Sequence, residues 1–321
     1  MMIAAALIIV IATCIALLRM PGPNIHGPIP LLTESQQTLR DALWQDVTEL
    51  AGNIGERNVM HPRALADAAR YIERAFADAG YTPARQTFVA DGVSCSNIEA
   101  EVPGGAEIVV ISAHYDSVIG APGADDNGSG VAAVLALART FAGRKQKRTL
   151  RFVAFANEEP PWFATEQMGS FRYAQRCRER RENVVAMLSL ESIGYFTDTA
   201  GSQQYPAMLE HVYPKQGNFI AFASNLRSGA LLRRCVAVFR RHATVPAEGG
   251  ALPEQVPGIG WSDQWAFWRC GYRAVMVTDT ALFRNPNYHT ATDTPDTLDY
   301  ERLARVVEGL SSVVENLANG K

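Results

Sequence analysis

The sequence predicts one α/β domain with three αβα layers around a largely parallel mixed sheet, preceded by an N-terminal hydrophobic segment. Two observations predict this fold class. Short β-branched runs alternate with stretches of helical periodicity. Several of the runs are continuously apolar, which is typical of strands that are covered by helices on both faces. With 321 residues, 47% of them hydrophobic, the chain is long enough to bury one large core.

The chain begins with an uncharged hydrophobic stretch, MMIAAALIIVIATCIALL, and its first charged side chain is Arg19. At ~1.5 Å per residue, a helix of this length nearly spans the ~30 Å core of a bilayer. We interpret residues 1–20 as a membrane anchor or signal segment. An anchor is favoured because no clear basic region or small-residue cleavage site is present. We therefore expect a membrane-anchored, extracytoplasmic domain, or a secreted one if the segment is cleaved.

Residues 21–31 are rich in Pro and Gly and are interpreted as a spacer, so the folded domain is expected over residues 32–321. Thr33 can cap a first helix. A second helix is predicted from Pro62, a favourable first position, to Gly80, a favourable stop. We expect both helices to pack on the sheet.

Strands and helices then alternate along the rest of the chain. The predicted strands are EIVVISA, TLRFVAFA, VVAMLSL and RAVMVT. The predicted helices are SGVAAVLALARTFA, MGSFRYAQRC and residues 299–317. The stretch 201–260 is the least regular and is interpreted as a lid over a functional site.

Charge and cysteine content exclude some classes of function. A net charge of −3 leaves no excess of basic residues to neutralise phosphates, so no nucleic-acid partner is expected. The four cysteines after the hydrophobic segment form no C-x-x-C pair, which argues against a thiolate zinc site. We expect buried thiols, with a disulfide between Cys235 and Cys270 as the alternative in an exported domain. The oligomeric state is not indicated.

Metal-ligating side chains follow the predicted strands, where open α/β sheets bind their ligands. These residues are His114, Asp116, Asp126, Glu158, Glu159, Glu191 and His289. Any one of them has an ordinary explanation as a helix cap or a solvated loop residue. Several carboxylate and imidazole groups at one edge of one sheet are much harder to explain in that way.

The motifs AHYDSV, GADDNGSG, FANEEP, LSLESIG and NYHTATDT, in this order, resemble the motif set of the M28 zinc peptidase family. The resemblance implies a zinc-exopeptidase fold that covers nearly everything after the hydrophobic segment. It also implies a zinc-dependent aminopeptidase with two zinc ions. Its substrates would be peptides with a free amino terminus.

The resemblance implies a role for each ligand. Asp126 would bridge both zinc ions, with His114 and Glu191 at one and Glu159 and His289 at the other. The family mostly carries Asp where this chain has Glu191, and the extra methylene changes the reach of that ligand.

The same resemblance implies the residues around the metals. Glu158 would be the general base, and Tyr288 would donate to the oxyanion of the tetrahedral intermediate. Asp116 would accept from the second ring nitrogen of His114. The peptide bond after Asp126 would be cis.

Two other functions remain open on this fold. One is a glutaminyl-cyclase-like aminoacyltransferase with one zinc, whose members usually carry Trp where this chain has Tyr288. The other is a non-catalytic, receptor-like ectodomain, which would have lost ligands that are present here. No motif predicts the preferred substrate side chain.

Overall fold

The computed structural model describes residues 19–25, 27–206 and 209–320. The hydrophobic segment predicted over residues 1–20 therefore lies almost entirely outside the described residues. Within the described ranges, no helix combines the length and apolar character needed to cross a bilayer.

One mixed sheet of eight strands lies at the centre of the described residues, in the order β1-β2-β4-β3-β5-β8-β6-β7. The strands are β1 (Ala84–Ala90), β2 (Val93–Val102), β3 (Gly105–His114), β4 (Arg148–Phe155), β5 (Asn183–Glu191), β6 (Ile220–Ser224), β7 (Ala247–Ala251) and β8 (Ala274–Thr278). The central strands β4, β3, β5 and β8 run parallel, and they are the four strands that the sequence predicts. Strands β1, β2 and β6 join by antiparallel pairing.

Helices cover both faces of the sheet and complete the three predicted layers. They are α1 (Glu34–Val47), α2 (Pro62–Asp78), α3 (Gly130–Phe141), α4 (Gly169–Glu179), α5 (Gly229–His242), α6 (Gln264–Arg269) and α7 (Tyr300–Asn319). Apolar side chains of α1, α2, α3, α5 and α7 share one core with Val109 and Ile111 of β3. Those of α4 and α6 share the other core with Ile108 and Val110. The alternation along β3 is that of a strand buried on both faces.

The predicted helix ends are confirmed where local chemistry sets them. Thr33 forms a capping box with Gln36: its hydroxyl accepts from the Gln36 N–H at 3.3 Å, and its own N–H donates to the Gln36 side chain at 2.9 Å. Helix α2 begins at Pro62 and ends before Gly80, whose φ is +92°. Helix α7 begins directly after Asp299, which caps it. It ends at Asn319, two residues beyond the predicted end at Leu317.

One expectation about the chain's organisation needs correction, since residues 201–260 contain β6, α5 and β7 and are more regular than predicted. Within residues 21–31, which are interpreted as a spacer, Asn24 accepts a hydrogen bond from the Ala247 N–H at 2.9 Å. The expected buried thiols are confirmed among the described cysteines. Cys235 and Cys270 are free and buried like the other two, so the alternative disulfide is not formed.

Candidate metal centre and adjoining pocket

The sheet collects the predicted site residues at one edge. His114 is the last residue of β3 and Glu191 is the last residue of β5. Glu158 and Glu159 follow β4, and His289 lies in the segment after β8. Because β4, β3, β5 and β8 are parallel, their carboxyl ends meet at this edge.

Five of the predicted residues form two groups that could each hold a metal ion, and Asp126 belongs to both. In the first group, His114 Nε2 lies 3.3 Å from Asp126 Oδ1 and 3.1 Å from Glu191 Oε2. In the second, His289 Nε2 lies 3.0 Å from Asp126 Oδ2 and 3.2 Å from Glu159 Oε2. Asp126 therefore turns one oxygen toward each group.

The donor atoms of these groups fit a bound zinc ion. Four buried atoms of these two groups have no hydrogen-bond partner among the described residues: His114 Nε2, Asp126 Oδ1, Glu159 Oε1 and His289 Nε2. Buried polar atoms normally have a partner, and a cation would supply one to all four. Imidazole nitrogen with carboxylate oxygen is also a common donor set of zinc in enzymes.

The carboxylates of the centre are crowded and buried. Burial raises the pKa of Glu158 well above its ordinary value, and repulsion from Glu191 and Glu159 adds to the effect. Burial and repulsion from Asp126 raise the pKa of Glu159 to about 8. The described side chains alone therefore do not compensate the negative charge of these carboxylates. A bound cation would do so, because it favours the ionised form of each carboxylate.

The imidazoles are subject to the opposite influence. Burial disfavours the charged ring of His289, but the carboxylates of Asp126 and Glu159 outweigh burial and raise its pKa to about 10. Burial likewise acts against charged His114, whose pKa is nevertheless raised well above its ordinary value by Glu191 and Glu158. Both rings thus lie in a strongly negative environment that suits a metal cation.

Glu158 and Tyr288 lie beside the two groups without belonging to either. The Glu158 carboxylate is buried, and its Oε2 is 3.9 Å from His114 Nε2. The Tyr288 ring stacks on the His289 ring, with centroids 3.8 Å apart. Glu158 and Glu159 are adjacent in sequence, but their carboxylates point in different directions. The Glu158 carboxylate faces His114, and the Glu159 carboxylate faces His289. Their predicted roles require such a difference.

Asp116 lies at the second ring nitrogen of His114, where the resemblance placed it, and it has a further role in the ligand loop. His114 Nδ1 lies 3.2 Å from the backbone oxygen of Asp116 and 3.5 Å from its carboxylate. The two carboxylate oxygens also accept from the backbone N–H groups of Glu158 and Glu159, each at 3.1 Å. Asp116 thus fixes the loop that carries both glutamates.

Asp293 repeats this arrangement on the other loop and was not singled out from the sequence. Its carboxylate oxygens accept from the N–H groups of Asp125 and Asp126, at 2.9 and 3.1 Å. It is buried, and it lies four residues after His289 in the motif NYHTATDT. The bond between Asp126 and Asn127 is cis, as the resemblance implied.

The Glu191 carboxylate is held by side chains that sequence reasoning missed. Ser262 donates to Oε2 at 2.6 Å, and the Ser192 hydroxyl donates to Oε1 at 3.1 Å. The Asn127 amide donates to Oε2 at 3.3 Å and to the Leu190 carbonyl at 2.8 Å. These contacts fix the orientation of the Glu191 carboxylate.

A buried arginine, Arg57, also supports the centre and was missed. Its guanidinium donates to backbone carbonyls that include those of Tyr115, at 2.6 Å, and Gly123, at 2.8 Å. The first carbonyl follows His114 directly and the second precedes Asp126 by three residues. Arg57 therefore ties together the two loops that carry ligands of the first group.

An apolar pocket adjoins the metal centre and shares Glu191 and Tyr288 with it. Segments 203–206 and 257–261, both from the stretch interpreted as a lid, form part of its wall. Its apolar lining includes Leu209, Phe219, Leu252, Ile259, Met276 and Phe283. The pocket can receive an uncharged side chain whose backbone lies at the metal centre.

Comparisons with known proteins agree with this geometry. Residues 97–314 match the model of Peptidase family M28. The uncharacterized protein YfbL of Escherichia coli (strain K12) is 35% identical, over 80% of this chain and 84% of its own. A probable leucine aminopeptidase of Arthroderma otae is 29% identical, over 70% of this chain and 58% of the fungal protein.

Solved structures show the same fold at low sequence identity. BSAP, a zinc aminopeptidase from Bacillus subtilis, has a TM-score of 0.71 at 14% identity, over 92% of this chain and 97% of that one. Fimbriiglobus ruber glutaminyl cyclase has a TM-score of 0.66 at 18% identity, over 92% of this chain and 99% of that one. At such identities the likeness concerns the fold alone, and both chemistries are found on it.

Proposed function

The chain belongs to peptidase family M28, and on that premise we propose that it is a two-zinc aminopeptidase that removes apolar residues from the amino terminus of peptides. The observation that carries the proposal is the pair of three-residue ligand groups that share Asp126. This arrangement supports two ions rather than one, because each oxygen of Asp126 faces a different imidazole.

Zinc, when bound, supplies Lewis acidity, which polarises the scissile carbonyl and makes water a nucleophile near neutral pH. The remaining chemistry belongs to the chain. Glu158 is free of both ligand groups and buried beside them, so its carboxylate accepts the proton of the attacking water. It then returns that proton to the leaving amine. Tyr288, at the rim of the pocket, donates to the oxyanion.

The proposed substrate class follows from the centre and the pocket together. A free α-amino group is cationic near neutral pH, and the carboxylates of Glu158 and Glu191 provide it with partners. The side chain of the same residue then enters the apolar pocket that Glu191 and Tyr288 border. The fungal relatives named leucine aminopeptidases agree with an apolar first residue.

The test compares the substitutions Glu158→Gln and Glu159→Gln in the purified full chain. Glu158→Gln removes the base but no ligand, so zinc content stays at the wild-type level while kcat falls by roughly 10² to 10⁴. Glu159→Gln replaces an anionic ligand with a neutral one, so zinc content and activity fall together and recover in part with added Zn²⁺. Atomic absorption beside kcat on leucine p-nitroanilide measures both.

Three outcomes would contradict the proposal. A Glu158→Gln protein that has lost its zinc would show that Glu158 is a ligand rather than the base. Full activity of both variants would remove the metal centre from the reaction. Release of ammonia and pyroglutamyl product from Gln-peptides, without hydrolysis of Leu-peptides, would instead establish the glutaminyl-cyclase chemistry of a structural neighbour.

We also propose that residues 1–20 attach the domain to a membrane, with the catalytic domain outside the cytoplasm. The uncharged composition before Arg19 supports the proposal. Membrane fractionation of the full chain, compared with a variant that lacks residues 2–18, tests it. Recovery of both proteins in the soluble fraction would contradict it.

A further inference from the structure

The edge strand β7 has a sequence that contributes little to its own stability. Its sequence is AEGGA, and it pairs only with β6 at the end of the sheet. Glycine and alanine have low strand propensity, and each glycine loses more backbone entropy on folding than other residues do. Something outside the sheet must therefore fix this strand.

The described N-terminal residues Met20–Asn24, which we term the strap, lie along the free edge of β7. The Asn24 side chain accepts from the Ala247 N–H at 2.9 Å and donates to Glu248 Oε1 at 2.8 Å. Asn24 thus satisfies a backbone donor that an edge strand normally leaves unpaired.

Arg240 of α5 joins the strap to the same strand. Its guanidinium donates to the Ala247 carbonyl at 2.6 and 3.0 Å and to Glu248 at 3.2 Å. It also donates to the carbonyls of Met20, at 3.3 Å, and Gly22, at 3.1 Å. The Arg240 guanidinium therefore links backbone carbonyls of the strap to a backbone carbonyl of β7.

The Met20 side chain packs against Gly249 of β7. This side chain is buried, and a Cβ built on Gly249 would lie 3.0 Å from its sulfur. The same Cβ would lie 3.1 Å from Val236 Cγ2 of α5. Glycine at position 249 therefore leaves room for both Met20 and Val236.

Strand β7 also lines the apolar pocket. Glu248, Gly249 and Gly250 all line it. The Tyr213 hydroxyl, also from the pocket lining, donates to the Gly249 carbonyl at 2.8 Å, and a Cβ on Gly250 would lie 2.8 Å from that hydroxyl oxygen. The wall of the pocket is thus a thin glycine strand with the strap directly behind it.

We propose that the strap is a structural part of the substrate pocket, and that Asn24 is a positioning residue that determines how well bulky apolar side chains bind. The inference rests on the proposed function, since it assigns the pocket to the first residue of the substrate. Loss of the Asn24 contacts lets β7 move outward and loosens the pocket. A small side chain does not reach this wall and is bound as before.

The experiment uses Asn24→Ala in the full chain, with Asn53→Ala as control, because Asn53 is exposed and its side-chain amide donates to Glu49 of the same helical segment. Leucine, phenylalanine and alanine p-nitroanilides are compared in excess Zn²⁺. In Asn24→Ala, KM for the leucine and phenylalanine substrates rises roughly 3- to 10-fold, the effect of losing one or two hydrogen bonds. KM for the alanine substrate and all kcat values stay unchanged, as does every parameter of Asn53→Ala.

A second readout does not depend on activity. Hydrogen exchange of the backbone amides in residues 247–251, followed by mass spectrometry, becomes faster in Asn24→Ala and stays at the wild-type rate in Asn53→Ala. Met20→Ala, which removes packing rather than hydrogen bonds, shows the same two effects and serves if Asn24→Ala does not fold.

The outcomes separate the two proposals. Equal changes of KM for all three substrates, or unchanged KM for the large ones, overturn the role of the strap in specificity. Unchanged exchange in residues 247–251 overturns its role in holding β7. Absence of aminopeptidase activity in the wild-type protein refutes the proposed function, while the exchange experiment still tests the strap.

Discussion

The substitution Asp116→Asn tests whether the ligand loops are held through their backbone. The Asp116 carboxylate accepts from the N–H groups of Glu158 and Glu159, each at 3.1 Å. An asparagine has one acceptor oxygen, so its amide group faces one of these N–H donors. The variant therefore loses one charge-assisted hydrogen bond, worth ~1.5–3 kcal/mol, and leaves a buried donor unpaired at a further ~1–3 kcal/mol. Partial relaxation of the loop reduces the sum, and we expect ~2–4 kcal/mol less stability.

The same change weakens zinc binding, because Glu159 is no longer fixed in the direction of its ligand group. Loss of such a supporting contact typically lowers metal affinity 10- to 100-fold, and we expect that range here. Urea unfolding of the metal-free protein measures stability, and competition with a fluorescent chelator measures zinc affinity. The control is Asp41→Asn, which removes the exposed partner of Arg40 and should change stability by less than ~0.5 kcal/mol. An Asp116→Asn protein with wild-type unfolding and wild-type zinc affinity would refute the reasoning.

Three further predictions concern other parts of the site and the core. Treatment with 1,10-phenanthroline should abolish activity and lower the melting temperature, because the ion binds the folded state only, and Zn²⁺ or Co²⁺ should restore both; full activity in metal-free protein would contradict this. Tyr288→Phe should lower kcat more than it raises KM, since an oxyanion donor acts in the transition state, and an unchanged kcat would reduce Tyr288 to packing on His289. Burial raises the pKa of the Cys95 and Cys235 thiols to about 12, so peptide mapping at pH 8 should find both unlabelled by iodoacetamide until urea unfolds the chain.

The sequence predicts best what a continuous stretch of chain determines. The apolar runs become the four parallel strands at the centre, and the polar residue that ends or follows each run lies at their shared edge. His114 and Glu191 could be placed in this way because each directly terminates a buried strand. The grouping of ligands around Asp126 came from the motif resemblance, and the structure brings the same residues together.

The β1–β2 hairpin was missed although its turn carries a local signal. Asp91 and Gly92 both have positive φ, at 47° and 80°, which is typical of the tight turns that Asp-Gly favours between strands. The flanking segments lack the continuous apolar runs of the central strands.

Supporting residues could not be assigned from the sequence because their partners are distant along the chain. Asp293 holds the backbone of Asp125 and Asp126 across a separation of 167 to 168 residues. Asn24 reaches Ala247 across 223 residues. No periodicity or spacing in the sequence encodes such pairs. The sequence around a polar loop residue does not indicate whether its partner is charged, buried or part of a ligand loop.

The paired use of Asp116 and Asp293 has a consequence for how this centre can evolve. Both carboxylates accept hydrogen bonds from backbone N–H groups of the ligand loops, which every residue except proline provides. Ligand identity is thereby separated from loop conformation. A lineage can exchange one liganding side chain for another, or lose one, while the frame that displays it stays in place.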